Sequence, residues 1–486
     1  MITNLPLSRA AKRALWLCLT AQGLSAILAA LMILAGPELD TDAFGHFIVA
    51  RRMIEHPSMV SVHWVWLPLW HMVLAAIELL GGGLTSARWL SWTLGGVTSA
   101  VVFAALSQES PELDRSHRVI EASLAAGLWA LCPLALLARS SAEPEALFTL
   151  LISVSAWQWA RHHPWRAGTA LALAALCRYE VWPVLGAVAL WPWINPSAKS
   201  LGQRAIDARK DLGTWLLPAL AVLAWCAVHR VQHGEWLWFV RENRAFALRA
   251  VARLFVSLPS VPRRAAWYAL TLPWLVWGPA VLLAPWGMWH LHRRRHHRWL
   301  LMPCVIVTFL SYAWLRGQHL GLVRHAIATS PFYAGAIALA LTACARWAQG
   351  DPRRRAAFVL CIGVSFCWFM FNVGAHVRGH VLQAQGAQRE VRAAAALLAR
   401  EAHDDAMVFC DDAMVELHAE LDRTHVRRWA GRDVRRANVC EAQLATGQPT
   451  WVVSTPRSLR ALQGLCEPRF SARSVLVLRC DCQLFR

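Results

Sequence analysis

Apolar runs with little charge recur along this chain, most of them at least the roughly 17 residues that a helix needs to cross about 30 Å of hydrocarbon. They fall at residues 14–35, 67–80, 84–106, 119–138, 144–160, 167–194, 213–229, 267–289, 299–315, 325–347 and 356–374. In lipid every backbone polar group must be satisfied within the protein, so only helices or closed barrels span it. These runs are too long and too rich in Leu and Ala for barrel strands. The pattern predicts an all-α polytopic membrane protein of about 11 transmembrane helices. Two runs admit more than one placement. Residues 67–80 are short and carry Pro68, His71 and Glu78, so they either cross or lie in the interface. Residues 167–194 hold Arg178, Glu180 and Pro183 near the centre, and read as one long span or, preferably, as a hairpin of two half-helices.

The net charge of +19 is explained by arginines between the apolar runs, as in HRRRHHR (292–298) and Arg353-Arg354-Arg355. That is the positive-inside pattern, and it argues against a nucleic-acid partner. The histidines of HRRRHHR lack the Cys or carboxylate company of a metal site, so that segment reads as a solvated cytoplasmic loop. Arg9, Lys12 and Arg13 precede the first run, which reads as an uncleaved span with its start in the cytosol. A multi-pass protein of a bacterial inner membrane follows, its N-terminus cytoplasmic. Residues 1–375 then form a transmembrane domain with a first outer loop at 36–66, and 376–486 a small α/β domain on the periplasmic side. In the tail, 391–402, 413–421, 434–445 and 457–465 read as helices, and 406–409, 450–454 and 474–478 as strands. Five of the 13 cysteines lie there, which allows one or two disulfides in an oxidising compartment.

Chemistry gathers beside the spans. Asp40-Thr41-Asp42 follows the first run at the membrane rim. Asp42 suits a general base that takes a proton from an acceptor hydroxyl, or a ligand to a divalent cation such as Mg or Mn. The bland alternative is a pair of acids solvating a helix end. Glu143 and Glu145, between two runs, either complete a carboxylate cluster or favour the dipole of the helix they precede. Arg178, Tyr179 and Glu180 break an apolar run, and ionisable residues in such places mark functional sites. An arginine there can fork onto phosphate oxygens with Glu180 holding it, or the two can simply pair to fix a helix break. Arg241 and Arg244 on an outer loop, and Arg324 and His325 where a loop enters a span, run against the positive-inside bias. They bind an anionic ligand or contact lipid headgroups. His71 joins them on the aromatic segment around Trp66 and Trp70.

The order of these motifs resembles the GT-C glycosyltransferase superfamily, in particular bacterial members akin to protein O-mannosyltransferases and aminoarabinose transferases. The segments are Asp42-Ala43-Phe44, Ala50-Arg51-Arg52, Pro68-Leu69-Trp70, the loop from Arg139 to Glu145, Leu176-Cys177-Arg178-Tyr179-Glu180, and Arg324-His325. The resemblance covers about residues 10–375. It implies an inverting transfer of sugar from a polyprenyl-phosphate donor to a protein, lipid or glycan acceptor at the outer membrane face. It places Asp42 as the catalytic acid of the first outer loop, with Asp40 as its companion across Thr41 where family members often have two adjacent acids. Glu143 or Glu145 matches the second outer-loop acid, and Arg178 and Arg324 match basic residues near the lipid phosphate. Two other classes use similar parts: a transporter or lipid flippase with an intramembrane Arg178/Glu180 site, and an O-antigen-ligase-like enzyme. Against transport, no inverted repeat is visible and the acids gather at one face.

Overall fold

The computed structural model describes residues 7–34, 38, 41–58, 66–108, 114–194, 200–254, 260–293, 297–316, 322–402, 408–410, 426–428, 450–454, 466–471 and 476–480. The chain divides into two compact units. One comprises Met1–Ala35 with Arg52–Val377, the other Gly36–Arg51 with Arg378–Arg486.

The first unit is helical throughout. Helix α1 (Arg9–Leu34) is followed by α2 (Thr41–Glu55), which begins in the second unit, then by the short α3 (Pro68–Leu79) and by α4 (Leu84–Leu106). Helix α5 (Arg115–Leu131) bends by 61° into α6 (Pro133–Ser140). Pro133 removes a backbone donor where the helix would continue, and the chain turns there. Next come α7 (Glu145–Ala160), α8 (Pro164–Ala175), α9 (Trp182–Ile194), α10 (Leu201–Lys210), α11 (Leu212–His233) and α12 (Trp238–Leu254). The segment Val261–Arg293 comprises α13 (Val261–Ala266), a π turn at Trp267–Thr271, α14 (Leu272–Trp277), a 3-10 stretch at Gly278–Leu283 and α15 (Ala284–Arg293). Helices α16 (His297–Leu315), α17 (Ser330–Trp347) and the long α18 (Pro352–Glu401) complete it.

Among the described residues seven helical segments are long and apolar enough to cross a membrane, or eight if α5 and α6 count as one broken span. The protein is a multi-pass membrane protein. All 11 apolar runs form helix, but length divides them: α3 has 12 residues and α7 has 16, and the run at 167–194 is broken. At 1.5 Å per residue, α3 reaches only about 18 Å, short of a bilayer.

The break at 167–194 is a hairpin. Helix α8 ends at Ala175, Arg178 is extended (φ −150°, ψ 143°), and a 3-10 turn at Tyr179–Val181 leads into α9. Both arms return to one level. The Trp191 ring near the end of α9 lies 6.2 Å from Trp159 at the end of α7, and the Thr214 hydroxyl at the start of α11 donates to the Pro164 carbonyl at the start of α8 (3.4 Å). Arg298 fastens this base. It donates to the Trp159 carbonyl (2.7 Å) and to Asp211 Oδ2 (3.1 Å), and sits 3.2 Å from His162 Nδ1. The basic segment 161–166 and Arg298 therefore share one end of the bundle, opposite the Arg178 turn. Arg298 is not the solvated loop residue expected of HRRRHHR, for its side chain is only 18% exposed. One carbonyl at the end of α7, the Asp211 carboxylate and the His162 ring hold it at that point.

Glycine decides how closely α8 and α11 approach. A Cβ at Gly168 would run into the Gly213 carbonyl, and one at Gly213 would meet the Trp165 ring. Without a hydrophobic force between helices in lipid, such close small-residue packing holds them together. Gly168→Ala is expected to destabilise the protein by about 1–3 kcal/mol. Thermal unfolding in detergent checks this; an unchanged midpoint would show that the backbone yields there.

The second unit carries a five-stranded sheet in the order β2-β1-β3-β5-β4. Its strands are β1 (Val408–Cys410), β2 (Val426–Arg428), β3 (Thr450–Ser454), β4 (Cys466–Ser471) and β5 (Leu476–Cys480). The β1 strand pairs in parallel with β2 and β3, whereas β3–β5 and β4–β5 are antiparallel. The expected strands at 406–409, 450–454 and 474–478 correspond to β1, β3 and β5, and β2 and β4 are additional. The expected helix at 391–402 is the end of α18, and the other three tail helices lie outside the described residues. A Cys466–Cys480 disulfide joins β4 to β5, and Arg469 ties β4 to Glu401 of α18 (2.8 Å).

Candidate functional site

The hairpin turn, the loop between α6 and α7, and the entry to α17 meet in one ionic cluster. Arg178 is its centre. Released from helical geometry by the break, its guanidinium reaches Glu145 Oε1 through NH1 (2.6 Å) and Glu180 Oε1 through NH2 and Nε (2.8 and 3.1 Å). Arg324 donates to Glu143 Oε1 (3.3 Å), with its Nε 3.9 Å from Glu145 Oε1. His325 Nδ1 lies 2.6 Å from Arg178 NH2 and 2.5 Å from Glu180 Oε1. An arginine can only donate and a carboxylate can only accept, so the protonation of Nδ1 selects which of the two His325 bonds. Glu143, Glu145 and Glu180 are all buried.

The short α3 buttresses this group. The Leu69 amide donates to the Leu176 carbonyl at the hairpin tip (3.0 Å), and the Trp70 indole to the Ala142 carbonyl (3.0 Å). Cys177 Sγ donates to the Pro144 carbonyl from 3.8 Å. One helix too short to cross thus joins the loop of Glu143 and Glu145 to the turn of Arg178 and Glu180. Ions held this way out of water have their desolvation offset by mutual contact, and losing one leaves the rest uncompensated.

Of the residues singled out in the sequence, Glu143, Glu145, Arg178, Glu180, Arg324 and His325 come together here. Tyr179 turns to an aromatic group, its ring stacked on Phe239 (5.3 Å, 9°). His71 is buried on α3, 5.9 Å ring to ring from Trp66. Arg241 on α12 is exposed and paired with Glu235 (2.7 Å) and Glu242 (3.2 Å), and Arg244 is exposed on the same helix. Asp42 is partly buried in the first turn of α2, in the second unit. Asp40 lies outside the described residues.

Sequence reasoning missed Arg88. It is 2% exposed near the start of α4, and donates to the carbonyls of Met32 (2.8 Å) and Ile33 (3.3 Å) at the end of α1 and of Ser140 (2.7 Å) at the end of α6. The last turn of α1 has no basic residue of its own, and Arg88 supplies the cation that a helix C-terminus favours. The signal was present, since Arg88 is an ionisable residue within an apolar run, as Arg178 is.

Among the described residues no group of three or more His, Cys, Asp or Glu is arranged to hold a metal ion. The Oε1 atoms of Glu143, Glu145 and Glu180 instead accept from arginines.

No family model matches the chain, and no curated protein does. Solved structures do. ArnT from Cupriavidus metallidurans in the apo state aligns over 96% of this chain and 98% of its own, with a TM-score of 0.66 at 14% identity. The fold is that of ArnT. The same protein bound to undecaprenyl phosphate aligns over the same shares with a TM-score of 0.63. The Archaeoglobus fulgidus oligosaccharyltransferase in the apo form covers 90% of this chain and 69% of its own, at a TM-score of 0.54 and 11% identity. That protein has also been crystallised with Zn and sulfate. The expected polytopic fold is therefore borne out over 96% of the chain, at an identity that leaves the chemistry to the residues themselves.

Proposed function

We propose that the protein is a membrane glycosyltransferase that moves a sugar from a polyprenyl-phosphate donor to an acceptor hydroxyl, on the face of the membrane away from the cytosol. The observation that carries this reading is the Arg178–Arg324 cluster at the turn of a broken helix pair, in a fold shared with an ArnT structure that binds undecaprenyl phosphate.

A sugar phosphoester brings its own leaving group. The acceptor oxygen attacks the anomeric carbon, the bond from that carbon to the phosphate oxygen breaks, and the phosphate departs with the electron pair. The protein must take one proton from the acceptor and stabilise a developing anion. Arg178 and Arg324 carry the donors for that anion, and guanidinium forks match phosphate oxygens. Glu145 and Glu180 hold Arg178 in place until the phosphate competes for it. Asp42 takes the acceptor proton; its support is motif order and its place after the first span. No step is routed through a metal ion.

Sidedness rests on two features. The basic segment 161–166 and Arg298 share the end of the bundle opposite the cluster, and positive segments stay in the cytosol. The Cys466–Cys480 disulfide suits an oxidising compartment such as the periplasm.

The test is direct. Purified protein incubated with labelled polyprenyl-phosphate sugars is expected to release polyprenyl phosphate and label an acceptor. Movement of intact donor across a vesicle membrane without cleavage would overturn transfer in favour of transport.

A further inference from the structure

Resting on that reading and deepening it, we infer that His229 recognises hydroxyl groups of the sugar carried by the donor. His229 lies in the last turns of α11, with no exposed surface, and neither ring nitrogen has a hydrogen-bond partner. A buried polar group of this kind calls for a partner, because leaving one unsatisfied costs stability and native structures seldom do so.

The surroundings restrict what that partner is. Trp225 meets the imidazole edge-on at 4.6 Å, Phe239 lies at 4.9 Å and Trp238 at 5.6 Å, ring to ring. His233, one turn on, stacks on Trp238 at 3.8 Å. Such an enclosure is apolar on its ring faces and polar at a few edges: the Trp225 indole nitrogen and the Tyr179 hydroxyl have no hydrogen-bond partner either, and the His233 ring lies 5.5 Å from His229. A phosphate would find no guanidinium among these rings, and an isoprenoid tail would offer the imidazole no bond. A sugar answers both features: its C–H faces pack on aromatic rings, and one of its hydroxyls can accept from the protonated imidazole nitrogen while a neighbouring hydroxyl donates to the bare one.

The enclosure also connects to the charged cluster. Phe239, in contact with His229, stacks on Tyr179, and Tyr179 stands between Arg178 and Glu180 in the chain. A donor whose phosphate engages Arg178 has its glycosyl group as the next part along, and the rings around His229 must part to admit it, because that residue has no open surface in this structure. His229 would then set specificity for the sugar without touching the phosphate.

Full-length protein in lipid nanodiscs tests this with undecaprenyl phosphate alone and with undecaprenyl phosphate bearing mannose, glucose or an amino pentose. His229→Phe keeps an aromatic ring and removes both nitrogens. It is expected to bind the bare lipid phosphate within about twofold of wild type, and to lose about tenfold in affinity for the preferred sugar-bearing donor. His229→Asn, which restores a donor and an acceptor, should recover part of the loss. Unchanged affinities in His229→Phe, as expected if a buried water alone satisfies the ring, overturn the inference. So does an equal loss for bare and sugar-bearing lipid, which marks a packing role. A wild type that binds bare lipid but gains nothing from any of the sugars overturns it while leaving the phosphate site standing. A wild type that binds none of these lipids removes the proposed function and the inference together.

Discussion

An Asp42→Asn variant is expected to insert and accumulate like wild type, and to transfer sugar about 10²–10⁴-fold more slowly, the usual worth of a positioned general base. The substitution keeps shape and hydrogen-bonding capacity while removing the proton acceptor. Some structural cost is foreseeable, since Asp42 sits in the first turn of α2, where a carboxylate gains about 0.3–1 kcal/mol from the helix dipole. That is small beside the predicted loss of rate. Ala43, Phe44, Phe47 and Ile48, which bury the same helix, are untouched. The measurement is release of labelled polyprenyl phosphate, with thermal unfolding alongside. Wild-type turnover in a normally folded variant would remove Asp42 from the reaction.

The second large effect concerns Arg178. Arg178→Met leaves Glu145 and Glu180 without their closest cation, and breaking a buried pair in this way costs about 3–5 kcal/mol. Transfer should also be lost, but from the single variant that loss is ambiguous. A double variant, Arg178→Met with Glu180→Gln, separates the causes. Neutralising Glu180 removes part of the uncompensated charge, so stability should rise toward wild type while transfer stays abolished. If activity returned with stability, Arg178 would be a structural residue and the phosphate assignment would go with it.

Much of this was legible in the sequence because membranes impose simple rules. Each apolar run became helix, and the charged break at Cys177-Arg178-Tyr179-Glu180 became a hairpin turn, as the cost of mid-bilayer charge demands. Six of the candidate residues then converged because two broken or looped segments and one span entry meet at one end. What was not legible depended on distant pairings. Arg298 acts on a backbone carbonyl, which no side-chain pattern announces, whereas Arg88 stood out as a charge within an apolar run and only its carbonyl partners were hidden. His229 was invisible for another reason: a lone histidine in an apolar run carries no signal until the rings around it are known. In the tail, β2 and β4 escaped because short strands such as Val-Arg-Arg lack alternation and are recruited by their neighbours.

The ion pairs of the cluster also set a schedule for biosynthesis. Arg178 and Glu145 are 33 residues apart and can meet as soon as their hairpin is made, whereas the contact between Arg178 and His325 spans 147 residues. At roughly 5–20 residues per second, a ribosome needs about 7–30 s to supply that last stretch. During the interval Glu143 and Glu180 await Arg324 and His325, so the nascent protein carries excess negative charge near the lipid. Truncation before residue 325 should therefore trap a chain that membrane proteases and insertases recognise as unfinished.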